Sequence, residues 1–282
     1  MLVNTIEMLK NARKHGYAVG AFNTCDLEIS QAIIDTATKL NSPVIIQTSE
    51  KAIDYAGIEA IYGILLTLAK AAPVPVAIHL DHGKSVERAK QCIEIGYSSV
   101  MIDTSVLDYD ENVKAAQAVV AMAHPKHVSV EAELGVLSGK EDYVAALESK
   151  MTKPNQAVEF IEKTGVDSLA ISIGNAHGVP SAKEIFDLFR LEEIAKKVSI
   201  PLVLHGASST PPARIKRAIE LGIAKINIDT DLRLGFNNDL RAFLESHPDA
   251  YDPREILTKA TEGVRKVVAK KMALFGSVNQ AS

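Results

Sequence analysis

The chain has 282 residues, 47% of them hydrophobic and 23% charged, with a formal net charge of -4. That length fits one α/β barrel or two ordinary domains, and a core of that size needs no disulfide support. Lys and Arg are dispersed, which argues against nucleic acid or an anionic membrane as the main partner, and Cys25 and Cys92 stand far apart, outside any CxxC spacing, as in a reducing, cytoplasmic compartment.

In chain order, MLVNTIEMLKNARKHG mixes charges through its apolar positions and reads as an amphipathic helix, not a signal peptide. The apolar span from Ala60 is broken by Lys70, Pro73 and Pro75, so it reads as helix, turn and strand and not as a membrane crossing. Short apolar and β-branched runs predict strands at 18–23, 43–48, 74–80, 98–103, 128–134, 168–174, 201–206 and 224–229. Helix-period segments such as DLEISQAIIDTATKL, SVERAKQCIEIG and PARIKRAIELG lie between them, and Gly96, Gly165 and Gly222 stand at helix exits just before the next strand. Eight alternating units with no linker predict a single (β/α)8 TIM barrel spanning 1–282. An open doubly wound sheet is the alternative, but no G-x-G-x-x-G follows the first strand. Two further helical patterns, LRLGFNNDLRAFLESH and PREILTKATEGVRKVVAKKMALFG, exceed what a barrel requires. In the second, Ile256, Leu257, Ala260, Val264, Val267, Val268 and Met272 recur at helical spacing for core packing first and subunit contact second.

Barrels place chemistry at the C-terminal ends of their strands, and here those ends are polar: Asn23, Gln47 with Ser49, Asp81 with His82, Asp103, Glu131 with Glu133, Asn175 with His177, His205 with Ser208, and Asn227 with Asp229. Three of the eight histidines, His82, His177 and His205, stand at the ends of predicted strands and are each followed by Gly, a residue that permits a sharp turn and close backbone approach. Three imidazoles converging on one rim beside acidic groups suit a catalytic divalent metal, most naturally Zn²⁺, with a position open for substrate. Of the others, His15, His79, His124, His127 and His247, the buried-strand His79 is expected to orient a ligand.

The motifs GYAVGAFN, VPVAIHLDHG, VSVEAELG, GVDSLAISIGNAHG, IPLVLHGAS and GIAKINIDTDLR, with the closing KMALFGS, resemble those of the class II, metal-dependent ketose-bisphosphate aldolases, most like the fructose-1,6-bisphosphate enzymes, essentially from end to end. The resemblance implies reversible cleavage of a phosphorylated ketose into dihydroxyacetone phosphate and an aldehyde, with tagatose 1,6-bisphosphate as the alternative substrate. Breaking C3–C4 leaves an enediolate whose charge must be met where it develops, and a divalent ion on His82, His177 and His205 supplies that as a Lewis acid. Asp81, next to a ligand, is expected to move the C4 hydroxyl proton. Asn227 is similar to the family residue that donates to the enediolate, and Glu141, in the stretch SGKEDYVAALESK that reads as a mobile loop, resembles the glutamate that moves the C3 proton. The resemblance further assigns Asp103 and Glu133 to a secondary metal site or to holding the histidines. It assigns Gly178, Gly206, Ser208, Asp229 and Thr230 to the first phosphate and substrate chain, and Arg233 to the distal phosphate. A monovalent cation and a homodimer or homotetramer complete what it implies.

Four positions depart from the pattern: Ser181 replaces a frequent lysine, Ser138 and Gly139 replace a glycine pair, Asn175 replaces a small residue or threonine, and Gln280 replaces a frequent arginine. Three rival readings stand beside the metal aldolase. Lys225, sharing strand parity with Asn227, could form a Schiff base. A metal-dependent barrel hydrolase is a second, but the first strand ends in AFN and lacks His-x-His. The last is a non-catalytic sugar-phosphate binder.

Overall fold

A computed structural model of the chain describes residues 1–136, 138–141, 144–146, 150–177, 186–208 and 210–281, with the backbone alone for 138–141, 144–146 and 176–177. Eight parallel strands, β1 (Val19–Asn23), β2 (Val44–Ser49), β3 (Val76–Gly83), β4 (Ser99–Ile102), β5 (Ser129–Leu134), β6 (Ser168–Ile171), β7 (Leu202–Leu204) and β8 (Ile223–Ile228), pair in sequence order and close β8 onto β1. All eight fall where the apolar runs place them.

The strand alternation sorts residues between two environments. Phe22, Ile46, Ile78, Leu80, Val100, Ile102, Val130, Leu169, Leu204, Ile226 and Ile228 form the core cluster shared with the surrounding helices. The opposite parity faces the barrel axis. There the floor is apolar, with Val19, Ala21, Ile45 and Ala77 in one cluster with Met8, Leu9 and Ala12 of helix α1 (Ile6–His15). Above this floor the interior turns polar.

Helices α2 (Leu27–Lys39), α3 (Glu50–Ala56), α4 (Ile58–Ala71), α5 (Val86–Ile95), α6 (Tyr109–Ala123), α7 (Pro154–Thr164), α8 (Leu188–Lys197) and α9 (Pro212–Glu220) surround the barrel. Their starts are sequence-encoded: Asp26, Ser49, Ser85 and Asp187 each accept a first-turn backbone N–H through the side chain. Gly96 and Gly165 end α5 and α7 in the left-handed region, at φ 115° and 70°. The span from Ala60 is indeed helix followed by strand. Among the described residues no helix is by itself long and apolar enough to cross a membrane, and α3 and α4 bend by 102° at their junction.

The two extra helices are α10 (Thr230–Ser246) and α11 (Pro253–Phe275). Ala260, Val264, Val268 and Met272 are buried as their spacing requires. The pair cross closely at glycines: a Cβ on Gly263 would sit 2.0 Å from the Gly235 carbonyl oxygen. One expectation changes here. Part of the stretch read as a loop is a hairpin, Ser138–Glu141 antiparallel to Val144–Ala146, and Ala176–His177 joins it as a third strand. Such short segments carry too few residues for a periodic signal.

Candidate active site

The C-terminal rim of the barrel gathers most of the polar strand ends into one buried network. At its base His79 Nδ1 lies 2.7 Å from Ser99 Oγ, and its Nε2 lies 3.4 Å from Lys225 Nζ. Burial and the Lys225 charge hold the His79 ring well below the usual imidazole range, so it is neutral. Lys225 donates to Glu131 Oε2 at 2.8 Å, and the other oxygen of Glu131 meets His205 Nε2 at 3.0 Å. His205 Nδ1 then faces His82 Nε2 at 2.8 Å, while His82 Nδ1 lies 2.7 Å from Asp103 Oδ2. Three strands (β3, β5 and β8) and the turns after β4 and β7 supply this line, and none of its members is more than 6% exposed.

The geometry at its centre brings together nitrogen donors that could hold a cation. Glu131 and Asp103 take the far ring N–H of His205 and His82, which leaves lone pairs on the two facing nitrogens, an arrangement carboxylates commonly impose on metal-bound imidazoles. Two lone pairs at 2.8 Å repel unless a proton or a metal lies between them. Burial works against charge on His82, but Asp81, Asp103 and Glu133 overcome it and push the ring up to about 9, so the metal-free site keeps a proton there. Nitrogens bound tetrahedrally to zinc at about 2.0 to 2.1 Å stand ~3.3 Å apart, so the pair needs to open by only ~0.5 Å. Asp81 lies with these two histidines in a group close enough to hold one ion.

His82 adopts a left-handed φ of 48°, which for a non-glycine residue is strained and held by its surroundings. The glycine after it serves a different purpose from the turn the HG pattern suggests. A Cβ on Gly83 would stand 2.6 Å from the Met101 carbonyl oxygen, so Gly83 permits close strand approach. After His205 the positive φ does fall on the glycine, at 63° for Gly206.

Asp81 is clamped from both sides. Asn23 Nδ2 donates to Oδ2 at 2.8 Å and Asn227 Nδ2 to Oδ1 at 2.9 Å, with Gln47 Nε2 holding Asn23 in turn at 2.7 Å. The Asn227 amide also comes within 3.3 Å of His205 Nε2. That nitrogen already gives its hydrogen to Glu131, so one Asn227 N–H remains to offer, beside an amide oxygen that has no partner among the described residues. Glu133 is buried 3.9 Å from His82 Nδ1. Burial and the neighbouring Asp103 raise its carboxyl well above the usual range, whereas Asp103, though desolvated, is held well below that range by His82 and Lys84.

The remaining expected residues fall in three groups. Asp229 and Arg233 form a two-point ion pair (2.8 and 2.7 Å) at the edge of a cavity of about 330 Å³ that Asn23, Cys25, Ser49, Lys51 and Tyr55 also line. Thr230 opens α10, and the Ser208 carbonyl accepts from Lys271 at 2.8 Å. The backbone of His177 pairs with Gly139, and two residues earlier Asn175 Nδ2 donates to the His205 carbonyl at 2.8 Å. Asn175, read as a departure, thus ties the strand leading to His177 to His205. The side chains of His177 and Glu141, and all of Gly178 and Ser181, lie outside the described residues. Gln280 stands with Met1, Tyr17 and Pro75 at the opposite end of the barrel, so that substitution does not touch this site. Lys225, the Schiff-base candidate, is fully buried and committed to Glu131.

Sequence reasoning named Asn23, Gln47 and Glu131 as polar strand ends without assigning their roles, and passed over Lys51 and Lys84. Register supplies the missing signal: Asn23 pairs with Gln47 and Gln47 with His79 across adjacent strands.

The profile of the class II fructose-bisphosphate aldolases matches residues 3–280. The chain belongs to the class II fructose-bisphosphate aldolase family. This aldolase is 46% identical to the fructose-bisphosphate aldolase of Thermus caldophilus, with all of both chains covered. Its fold is similar to the YdjI aldolase of Escherichia coli K12 (TM-score 0.89, 35% identity, 100% of both chains). It is also similar to the fructose-bisphosphate aldolase of Campylobacter jejuni (TM-score 0.82, 26% identity, 99% of this chain and 96% of that one). Membership makes the protein a carbon–carbon lyase of a metal-dependent family that acts on phosphorylated sugars.

Proposed function

We propose that this aldolase reversibly cleaves fructose 1,6-bisphosphate to dihydroxyacetone phosphate and glyceraldehyde 3-phosphate, using Zn²⁺ held by His82, His177 and His205. The observation that carries the reading is the facing pair His82 Nε2 and His205 Nδ1, each with its far nitrogen on a buried carboxylate. When bound, the metal supplies a Lewis acid that polarises the ketone and stabilises the charge left when C3–C4 breaks.

The chain's own residues supply the rest. Asp81, held by two amide donors, takes the proton of the C4 hydroxyl, and the C3–C4 electron pair passes into the enediolate of dihydroxyacetone phosphate. In condensation the same group returns that proton to the new alkoxide. The remaining N–H of Asn227 donates to the developing enediolate oxygen. Glu141 delivers the proton to C3. Gly178, Gly206, Ser208 and the N-terminal turn of α10 at Thr230 receive the first phosphate. The cavity beside Asp229 and Arg233 receives the outer phosphate. The chain works as a single domain of 1–282 in the cytoplasm, in a homodimer or homotetramer.

The test is an assay of purified protein on fructose 1,6-bisphosphate, before and after EDTA and again after zinc is returned, with tagatose 1,6-bisphosphate in parallel. Loss and recovery of fructose bisphosphate cleavage is expected. Undiminished turnover by demetallated protein, or faster turnover of the tagatose epimer, refutes the proposal.

A further inference from the structure

Lys84 directly follows the HG pair of β3 and belongs to none of the motifs above. Its backbone N–H donates to Glu50 Oε1 at 2.7 Å, which pins the turn after β3 to the start of α3. Its side chain, 26% exposed, reaches inward and donates to Asp103 Oδ2. That is the oxygen already shared with His82 Nδ1 at 2.7 Å. Asp103 Oδ1 accepts from Ser105 Oγ at 2.7 Å and from the Ser105 N–H at 3.3 Å. A carboxylate has about four acceptor positions, and in Asp103 each has a donor.

Proximity alone makes His82, Asp103 and Glu133 a second group able to hold an ion, since one ligand atom from each lies within 4.8 Å of the others. The chemistry of the donors disagrees. An ion there would have to break the His82–Asp103 contact that orients the ring and displace the ammonium from Asp103. If the ammonium stayed, it would lie beside a divalent cation in a buried pocket, where like charges are poorly screened.

We infer that Lys84 is a resident cation that closes the Asp103–Glu133 cluster to a second divalent ion, so that each chain takes one ion, on the face between His82 and His205. The inference rests on the metal reading of those histidines proposed above. It turns Asp103 and Glu133 from secondary ligands into supports for His82.

The experiment counts ions without reference to turnover. Full-length protein is stripped with chelator, titrated with Mn²⁺, separated from free metal and analysed for bound manganese. Wild type and K84R are expected to hold one ion per chain and K84M two. Because K84M could lose the pinned turn and fail to fold, wild-type crystals soaked in Mn²⁺ give an independent measurement. One anomalous peak is expected, beside His82 Nε2 and His205 Nδ1, and none between Asp103 and Glu133. Two ions per wild-type chain, a peak at the carboxylate pair, or a folded K84M that still takes one ion overturns the inference and leaves the aldolase reading standing. A wild type that takes no ion overturns both.

Discussion

The inner wall of the site and its mouth are built by different rules. Along the wall, from His79 through Lys225, Glu131, His205 and His82 to Asp103, no side chain is more than 6% exposed and each is held by the next. At the mouth the Arg233 side chain is 53% exposed and Tyr55 78% exposed, and Lys51 is exposed as well. Geometry is fixed where, in the proposed reaction, bonds change and charge develops, since misplaced groups there lose their effect. Where the proposed reaction docks the outer part of its substrate, long side chains in water suffice.

Substitutions at the wall should break this contrast most sharply. His205→Ala or His82→Ala removes both a proposed metal ligand and half of the facing pair, and fructose bisphosphate turnover is expected to fall at least ~10³-fold. Parallel metal analysis should show the ion lost. Asp81→Asn keeps the shape and should lower kcat by roughly 10² to 10⁴ while the metal content stays unchanged. Full activity in that variant would remove Asp81 from the mechanism.

Lys225→Met strands Glu131 as a buried charge and should cost about 3 to 5 kcal/mol of stability in urea denaturation. Adding Glu131→Gln to it should recover part of that loss, because no charge is then left unpaired. Glu131→Gln alone should weaken metal binding by roughly 10- to 100-fold.

Proton release tests the same wall through pH. With its pKa raised to about 9, His82 carries a proton at pH 7.5 in metal-free protein, and that proton must leave when the ion binds. Calorimetric titration in buffers of different ionisation enthalpy should detect it, with metal binding weakening as pH falls below 9. In the metal-free fold the sign is opposite. The raised pKa contributes stability fully below the ordinary imidazole range and loses it as pH climbs through 9.

The smallest effect belongs to the mouth. Arg233→Met should raise KM about tenfold with little change in kcat, the signature of uniform binding. A collapse of kcat instead would mean that the mouth shares the wall's precision.

What the sequence revealed follows from the range over which its signals act. All eight barrel strands were legible because each is a short local pattern, and His82, His177 and His205 stood out by combining a strand end with a following glycine. Asp81 and Asn227 were legible at strand ends, and the structure puts them 2.9 Å apart. The support of His205 was not, since Glu131 and Lys225 lie 94 positions apart and meet only after the barrel closes. Lys84 was missed for another reason: a lysine after a glycine usually marks a solvated turn, and only coordinates reveal that it points back at Asp103. The hairpin at 138–146 was missed because its strands are three and four residues long.

The glycine crossing between α10 and α11 lies close to the proposed outer-phosphate contact. Gly235 lies two residues beyond Arg233, so the contact that lets the two helix backbones touch falls within one helical turn of the arginine that meets Asp229. The terminal hairpin is thus an external brace for the entrance. Anything that wedges it outward, even a single methyl group at Gly263, is expected to tilt the wall proposed for the outer phosphate while leaving the imidazole pair deep in the barrel in place.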